Sequence, residues 1–144
     1  MNGFPGPVTP GPTQLLTRAR FLLLFVDQSI QMVLNQARGG TVTLSETTIR
    51  SWIALLTAAR DALNQIVAPA IFPPPQWLTL VQAATRSIDN ALQLLNSIPI
   101  AAVLIFPPVP GSATVSVQLL QQVQGNVRFA AQAVEAAERE LARG

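Results

Sequence analysis

Asp27 and Asp89 are the residues of this chain whose placement comes nearest to chemistry. They occupy matching positions in two similar segments, Val26-Asp27-Gln28-Ser29-Ile30-Gln31-Met32-Val33 and Ile88-Asp89-Asn90-Ala91-Leu92-Gln93-Leu94-Leu95. Each lies at the border of an apolar stripe, so the two could approach each other across a pseudo-twofold axis. Paired carboxylates can exchange a proton with a substrate or hold a divalent cation. The plainer alternative is that each is a boundary residue bonded to Arg, Gln or water, the usual fate of acids beside a core. The other carboxylates, Glu46, Asp61, Glu135, Glu138 and Glu140, show no such pairing, and histidine, cysteine, lysine and tyrosine are absent. Their absence removes the side chains that most often move protons, attack carbonyls or bind transition metals near neutral pH. A di-iron helical site needs Glu-x-x-His motifs, and neither a phosphate-cradling glycine loop nor a nucleophile elbow occurs. Neither enzymatic activity nor a cofactor nor a metal site is expected.

Composition points to packing instead. Of 144 residues, 49% are hydrophobic and 11% charged, with a formal net charge of +2. The chain has the size of one domain and can bury a core without cross-links. All the basic residues are arginines, and they are scattered; phosphate binding usually wants them clustered on one face, so nucleic acid is not an expected partner. The longest apolar runs, Phe21 to Val26 and Ile98 to Phe106, fall well short of the roughly 20 residues that span a bilayer. Met1 to Pro12 lacks the basic and then apolar pattern of an ordinary secretion signal.

Proline and glycine divide the chain into four segments with helical periodicity. The first should run from about Thr13 to Arg38 and stop at Gly39-Gly40. The second follows Thr43, which with Glu46 makes a capping box, and fades before Pro69. The third begins after Pro73-Pro74-Pro75 and ends near Ser97; the fourth runs from about Ser116 almost to Gly144. Helices 1 and 3 align without a gap, Gln14-Leu15-Leu16-Thr17 on Gln76-Trp77-Leu78-Thr79 and the Asp27 block on the Asp89 block at the same offset. The starts of helices 2 and 4 echo each other as Thr41-Val42-Thr43-Leu44 and Thr114-Val115-Ser116-Val117. The expected fold is all-α: an antiparallel four-helix bundle built from two related αα-hairpins, about residues 12–72 and 74–144, behind an extended Pro/Gly-rich N-terminal arm, residues 1–12.

That arm reads Gly3-Phe4-Pro5, Gly6-Pro7-Val8, then slips register through Thr9-Pro10 to Gly11-Pro12-Thr13. A Gly/Pro-rich leader followed by Leu- and Gln-rich helices separated by prolines resembles the helical preface regions of bacterial collagen-like, spore-surface proteins. The resemblance implies a structural role on a cell or spore surface.

More apolar surface is present than one bundle covers. On a helical wheel, Leu15, Ala19, Leu22, Val26, Ile30 and Val33 form the core stripe of helix 1. Phe21, Phe25 and Met32 lie to one side of it, and Leu24 nearly opposite, whereas helix 3 has Ala83, Ser87, Leu94 and Arg86 at the equivalent places. In helix 4 the stripe is Leu119, Val123, Val127, Ala130, Val134 and Leu141, with Phe129 on the far side. Two linkers end in Ile-Phe-Pro-Pro, Ile71 to Pro74 and Ile105 to Pro108, and greasy loops need cover. Phe21, Leu24, Phe25, Met32, Ile105, Phe106 and Phe129 are therefore the candidate assembly residues. The expected function is a self-assembling structural subunit of a fibre, coat or surface layer, with itself as partner. The alternatives are a binding module for an apolar ligand or amphipathic partner helix, and, third, a helical coat protein that packages nucleic acid.

Overall fold

The computed structural model describes residues 11–68, 73–100 and 111–143. It is mostly helical, with one small sheet: α1 (Pro12–Asn35), β1 (Thr41–Ser45), α2 (Glu46–Asn64), α3 (Gln76–Asn96), β2 (Ser112–Ser116) and α4 (Val117–Arg143). Of the expected arm, residues 1–10 lie outside the described residues, and Pro12 already belongs to α1, where its fixed φ suits a first turn. No described helix is long and apolar enough to cross a membrane.

α1 stops at Asn35, short of the expected Arg38, because the chain there enters a tight turn. Arg38 and Thr41 exchange both backbone hydrogen bonds, at 3.3 and 3.4 Å. Gly39 and Gly40 between them have φ of +66° and +82°, the left-handed pair that a type I′ turn demands. The turn feeds β1, which pairs antiparallel with β2 in the register Thr41↔Ser116, Thr43↔Thr114, Ser45↔Ser112. Alternation along both strands puts Leu44, Ala113 and Val115 into the core and leaves Thr41, Thr43, Ser45, Ser112, Thr114 and Ser116 exposed.

The ribbon corrects two expectations. Thr43 lies inside β1 and does not cap α2; Ser45 does, its Oγ accepting from the Thr48 N–H at 3.1 Å. Ser116 does the same for α4, accepting from Leu119 at 3.1 Å. The two strand-helix junctions therefore match as Gly40-Thr41-Val42-Thr43-Leu44-Ser45 on Gly111-Ser112-Ala113-Thr114-Val115-Ser116, two residues away from the alignment read off the sequence. Backbone bonds close the ribbon symmetrically, Glu46 N–H to the Gly111 carbonyl at 2.8 Å and Val117 N–H to the Gly40 carbonyl at 2.9 Å.

Carried into the helices, this new alignment superimposes burial. Ile49, Trp52, Leu56, Ala59, Ala62 and Leu63 of α2 correspond to Leu120, Val123, Val127, Ala130, Ala133 and Val134 of α4, and all twelve are buried. α1 packs on α2 and α4, and α3 likewise on α2 and α4. The α3–α4 contact is the most extensive, and small residues are buried on both helices, Ala84, Ser87 and Ala91 on α3 and Ala130, Ala133 and Ala137 on α4.

α1 departs from this pattern. The stripe expected for it, carried onto α3, falls on Trp77, Val81, Ala84, Ile88, Leu92 and Leu95, of which all but the half-buried Trp77 are buried. In α1 itself Leu22 and Val33 are only half-buried, and Leu16 and Leu23 are buried instead. The helix has rolled toward α4. A bulky pair accompanies the roll: Trp52 donates Nε1–H to Ser29 Oγ at 2.8 Å, where the corresponding positions of the second half hold Val123 and Ala91, both buried. In α4 the expected Leu119 and Leu141 are likewise half-buried, and Leu120, Ala131 and Ala137 take the interior.

Candidate functional site

Asp27 and Asp89 do not meet. Asp27 lies between α1 and α4, where its Oδ1 accepts from Arg128 Nε at 2.9 Å and from Gln124 Nε2 at 3.0 Å. Asp89 pairs instead with Arg60 of α2, at 3.1 Å. Each carboxylate is held by a guanidinium on a different neighbouring helix, so the pair chemistry considered for them has no geometry here. Among the described residues no three His, Cys, Asp or Glu side chains gather where they could hold a metal ion.

The α1–α4 seam is a polar clasp. Glu138 accepts from Arg20 Nε at 2.6 Å and from Thr17 Oγ1 at 3.1 Å. One end of the clasp thus lies near the start of α1, and Asp27, Gln31, Gln124 and Arg128 form the other. The partners climb α1 as they descend α4, so the two helices run antiparallel. Gln124 is buried, and both protons of its amide are placed, one on Asp27 and one on Gln31, which offsets much of the cost of burying it. The sequence hid this clasp because Gln124 reads as one of many surface glutamines; its place four residues before Arg128, on the side of α4 next to Val127, was the available signal.

At the start of α2, Glu46 links both halves of the chain. Its carboxylate pairs with Arg50 at 2.6 Å and accepts from the Gly111 N–H at 3.2 Å. The hydrogen bond from Arg50 and the one from Gly111 hold its pKa below the ordinary value of 4.5.

Outside the clasp, the roll of α1 leaves aromatic side chains in water. Phe21, Phe25 and Met32 are 60, 62 and 65% exposed. They follow one line down the outer face with Gln28 between them, at steps of four, three and four residues. The Arg20 guanidinium lies over the Phe21 ring, 5.0 Å from its centre. Leu24, less exposed, lines a cleft of about 380 Å³ between α1 and α4 with Arg20, Asp27, Arg128, Ala131, Gln132 and Glu135. Phe129 is exposed on the outer side of α4. Ser87, the counterpart of Phe25, is buried, so the two related helices differ in what they turn outward at this place. Ile105 and Phe106 lie outside the described residues. Ile98, where that greasy stretch begins, is buried.

The chain matches no protein-family model, and no curated protein or solved structure is detectably similar to it.

A second cleft, of about 410 Å³, opens between α2 and the end of α3. Ile49, Ile53, Ala54, Leu95, Ile98 and Ile100 line it, with Arg50 at its edge.

Proposed function

We propose that this chain is a structural, non-enzymatic subunit that assembles with copies of itself. We infer further that its helices form an antiparallel four-helix bundle of two related hairpins, residues 12–72 and 74–144. The cyclic packing of α1 through α4 and the matched burial of α2 and α4 support the bundle.

The observation that carries the functional reading is the line of Phe21, Phe25 and Met32, each at least 60% exposed, over a core already filled from within the chain. Burying a side chain of this size stabilises by roughly 1.5–3 kcal/mol, so three in a row on one rigid helix favour association over solvation. Phe129, on the outer side of a different helix, supplies a second face. A subunit with one self-complementary face closes as a dimer, and one with two can continue into an open array, which is what a fibre, coat or surface layer requires. Light scattering coupled to size exclusion, across a dilution series, is the test: mass must fall with dilution from a multimer, and a monomer at every concentration down from tens of micromolar sinks the reading.

The apolar cleft beside Ile53 favours a second reading, a module that takes up an apolar ligand. It predicts saturable binding of a hydrophobic fluorophore that Ile53→Asp abolishes and Phe25→Ser leaves intact.

A further inference from the structure

We infer that the first contact between two copies is an antiparallel, two-fold pairing of α1 with α1, packed through Arg18, Phe21, Phe25, Gln28, Met32 and Asn35. The inference rests on the self-assembly reading above and specifies its geometry. These six residues are spaced three, four, three, four and three apart, the alternation of a coiled-coil seam. They lie on the side of α1 away from its buried residues, Leu15, Leu16, Ala19, Leu23, Val26 and Ile30. α1 therefore carries two apolar edges, one packed inside the chain and one left exposed among the described residues.

A second copy of the same helix fits that edge, and charge selects its direction. In a parallel pair every residue meets its own counterpart, so Arg18 would face Arg18 across the seam, a like-charge contact between side chains pressed together. In an antiparallel pair, Arg18 meets Asn35 of the other copy, Phe21 meets Met32 and Phe25 meets Gln28. Both ends of the seam are then free of charge conflict, and each Gln28 lies beside a Phe25 ring at the centre of the seam. A two-fold axis between Phe25 and Gln28 generates all three pairs twice, as an isologous interface must.

The area is adequate. Taking roughly 200 Å² for each large side chain and the observed exposures, Phe21, Phe25 and Met32 contribute about 370 Å² per copy. Both copies thus bury about 750 Å² of apolar surface, and Arg18, Leu24, Gln28 and Asn35 around it bring the total toward the ~1,200 Å² at which specific interfaces begin. A dimer of moderate affinity is the consequence, one that dissociates on dilution.

The chain contains no cysteine, so introduced thiols report without background. Arg18→Cys and Asn35→Cys, both at exposed positions, are made separately in the full-length protein, one bearing a tag that shifts its mass. In the antiparallel pair two copies of residue 18 are about 25 Å apart along the helix, whereas residues 18 and 35 of different copies are adjacent. Mild oxidation should cross-link a mixture of the two variants into a heterodimer, while either variant alone stays at least tenfold less cross-linked. Cross-linking of Arg18→Cys with itself means a parallel seam and overturns the inference. A dimer by light scattering with no cross-link in any mixture places the contact elsewhere, overturning the geometry and sparing self-assembly; a monomer overturns both.

Discussion

Replacing Phe25 by serine separates association from folding. The side chain is 62% exposed, so with a Phe area of roughly 200 Å² about 120 Å² of apolar surface is available to a partner. The two-fold axis loses that patch twice, about 240 Å² for the dimer, or roughly 6 kcal/mol at 25 cal/mol per Å². That figure assumes complete coverage; if the neighbour covers half, about 3 kcal/mol remains, which raises the dissociation constant about 150-fold. Folding should barely respond. Only about a third of the side chain touches its own chain, and surface substitutions away from special features usually change stability by less than about 0.5 kcal/mol. The assay is sedimentation equilibrium of wild type and Phe25→Ser at matched concentrations, with urea unfolding of both at a dilution where wild type is monomeric. A dissociation constant changed less than threefold, with the unfolding midpoint intact, refutes the argument. Loss of stability by several kcal/mol refutes it differently, by showing that Phe25 belongs to the chain's own core.

Four further outcomes follow from the same geometry. Trp52→Ala should lower the unfolding free energy by about 3–5 kcal/mol in a urea titration, since it empties the space between α1 and α2 and leaves Ser29 without its donor. Asp27→Ala should cost more than Asp89→Ala, roughly 2 against under 1 kcal/mol by chemical denaturation, because Asp27 is 18% exposed and holds Arg128 and buried Gln124, while Asp89 is 46% exposed with Arg60 alone. The depressed pKa of Glu46 means that its bonds favour the folded state above the ordinary carboxylate range, near 4.5, and that this contribution is lost as pH falls through the lower folded value. The Gly111 amide proton shift in an NMR pH titration should therefore move with a midpoint below 4.5, and Glu46→Gln should abolish the movement. Gly40→Ala, which forces a side chain onto φ of +82°, should destabilise by about 1 kcal/mol in thermal melts.

The positions of the four helices were legible because proline and glycine mark their ends and their apolar residues recur at helical spacing. The roll of α1 was not. A wheel drawn for α1 alone gives most of the stripe that α3 buries, and the meeting of Trp52 with Ser29, two residues on different helices, leaves no pattern in the sequence of either. The ribbon was missed for a similar reason. Thr41 to Ser45 and Ser112 to Ser116 do alternate, but each is short, and a strand is recognisable mainly through its partner, here some seventy residues away. Of the polar residues, Asp27 and Asp89 were read correctly as boundary acids in the plainer of the two alternatives; their guanidinium partners, Arg128 and Arg60, depend on how the helices are arranged around one another and carry no local pattern.

The ribbon joins strands from the two halves, so its ladder exists only when residues near 42 and residues near 115 are together. Each helical hairpin can form from nearby contacts, whereas this pairing has to close a long loop first. Val42, Leu44, Ala113 and Val115 occupy the hydrogen-bonded sites of the ladder, between the Gly40–Val117 and Glu46–Gly111 bonds. Their amide protons are consequently a clock for the whole chain. They exchange with solvent when the halves part, and their lifetimes measure how often that happens.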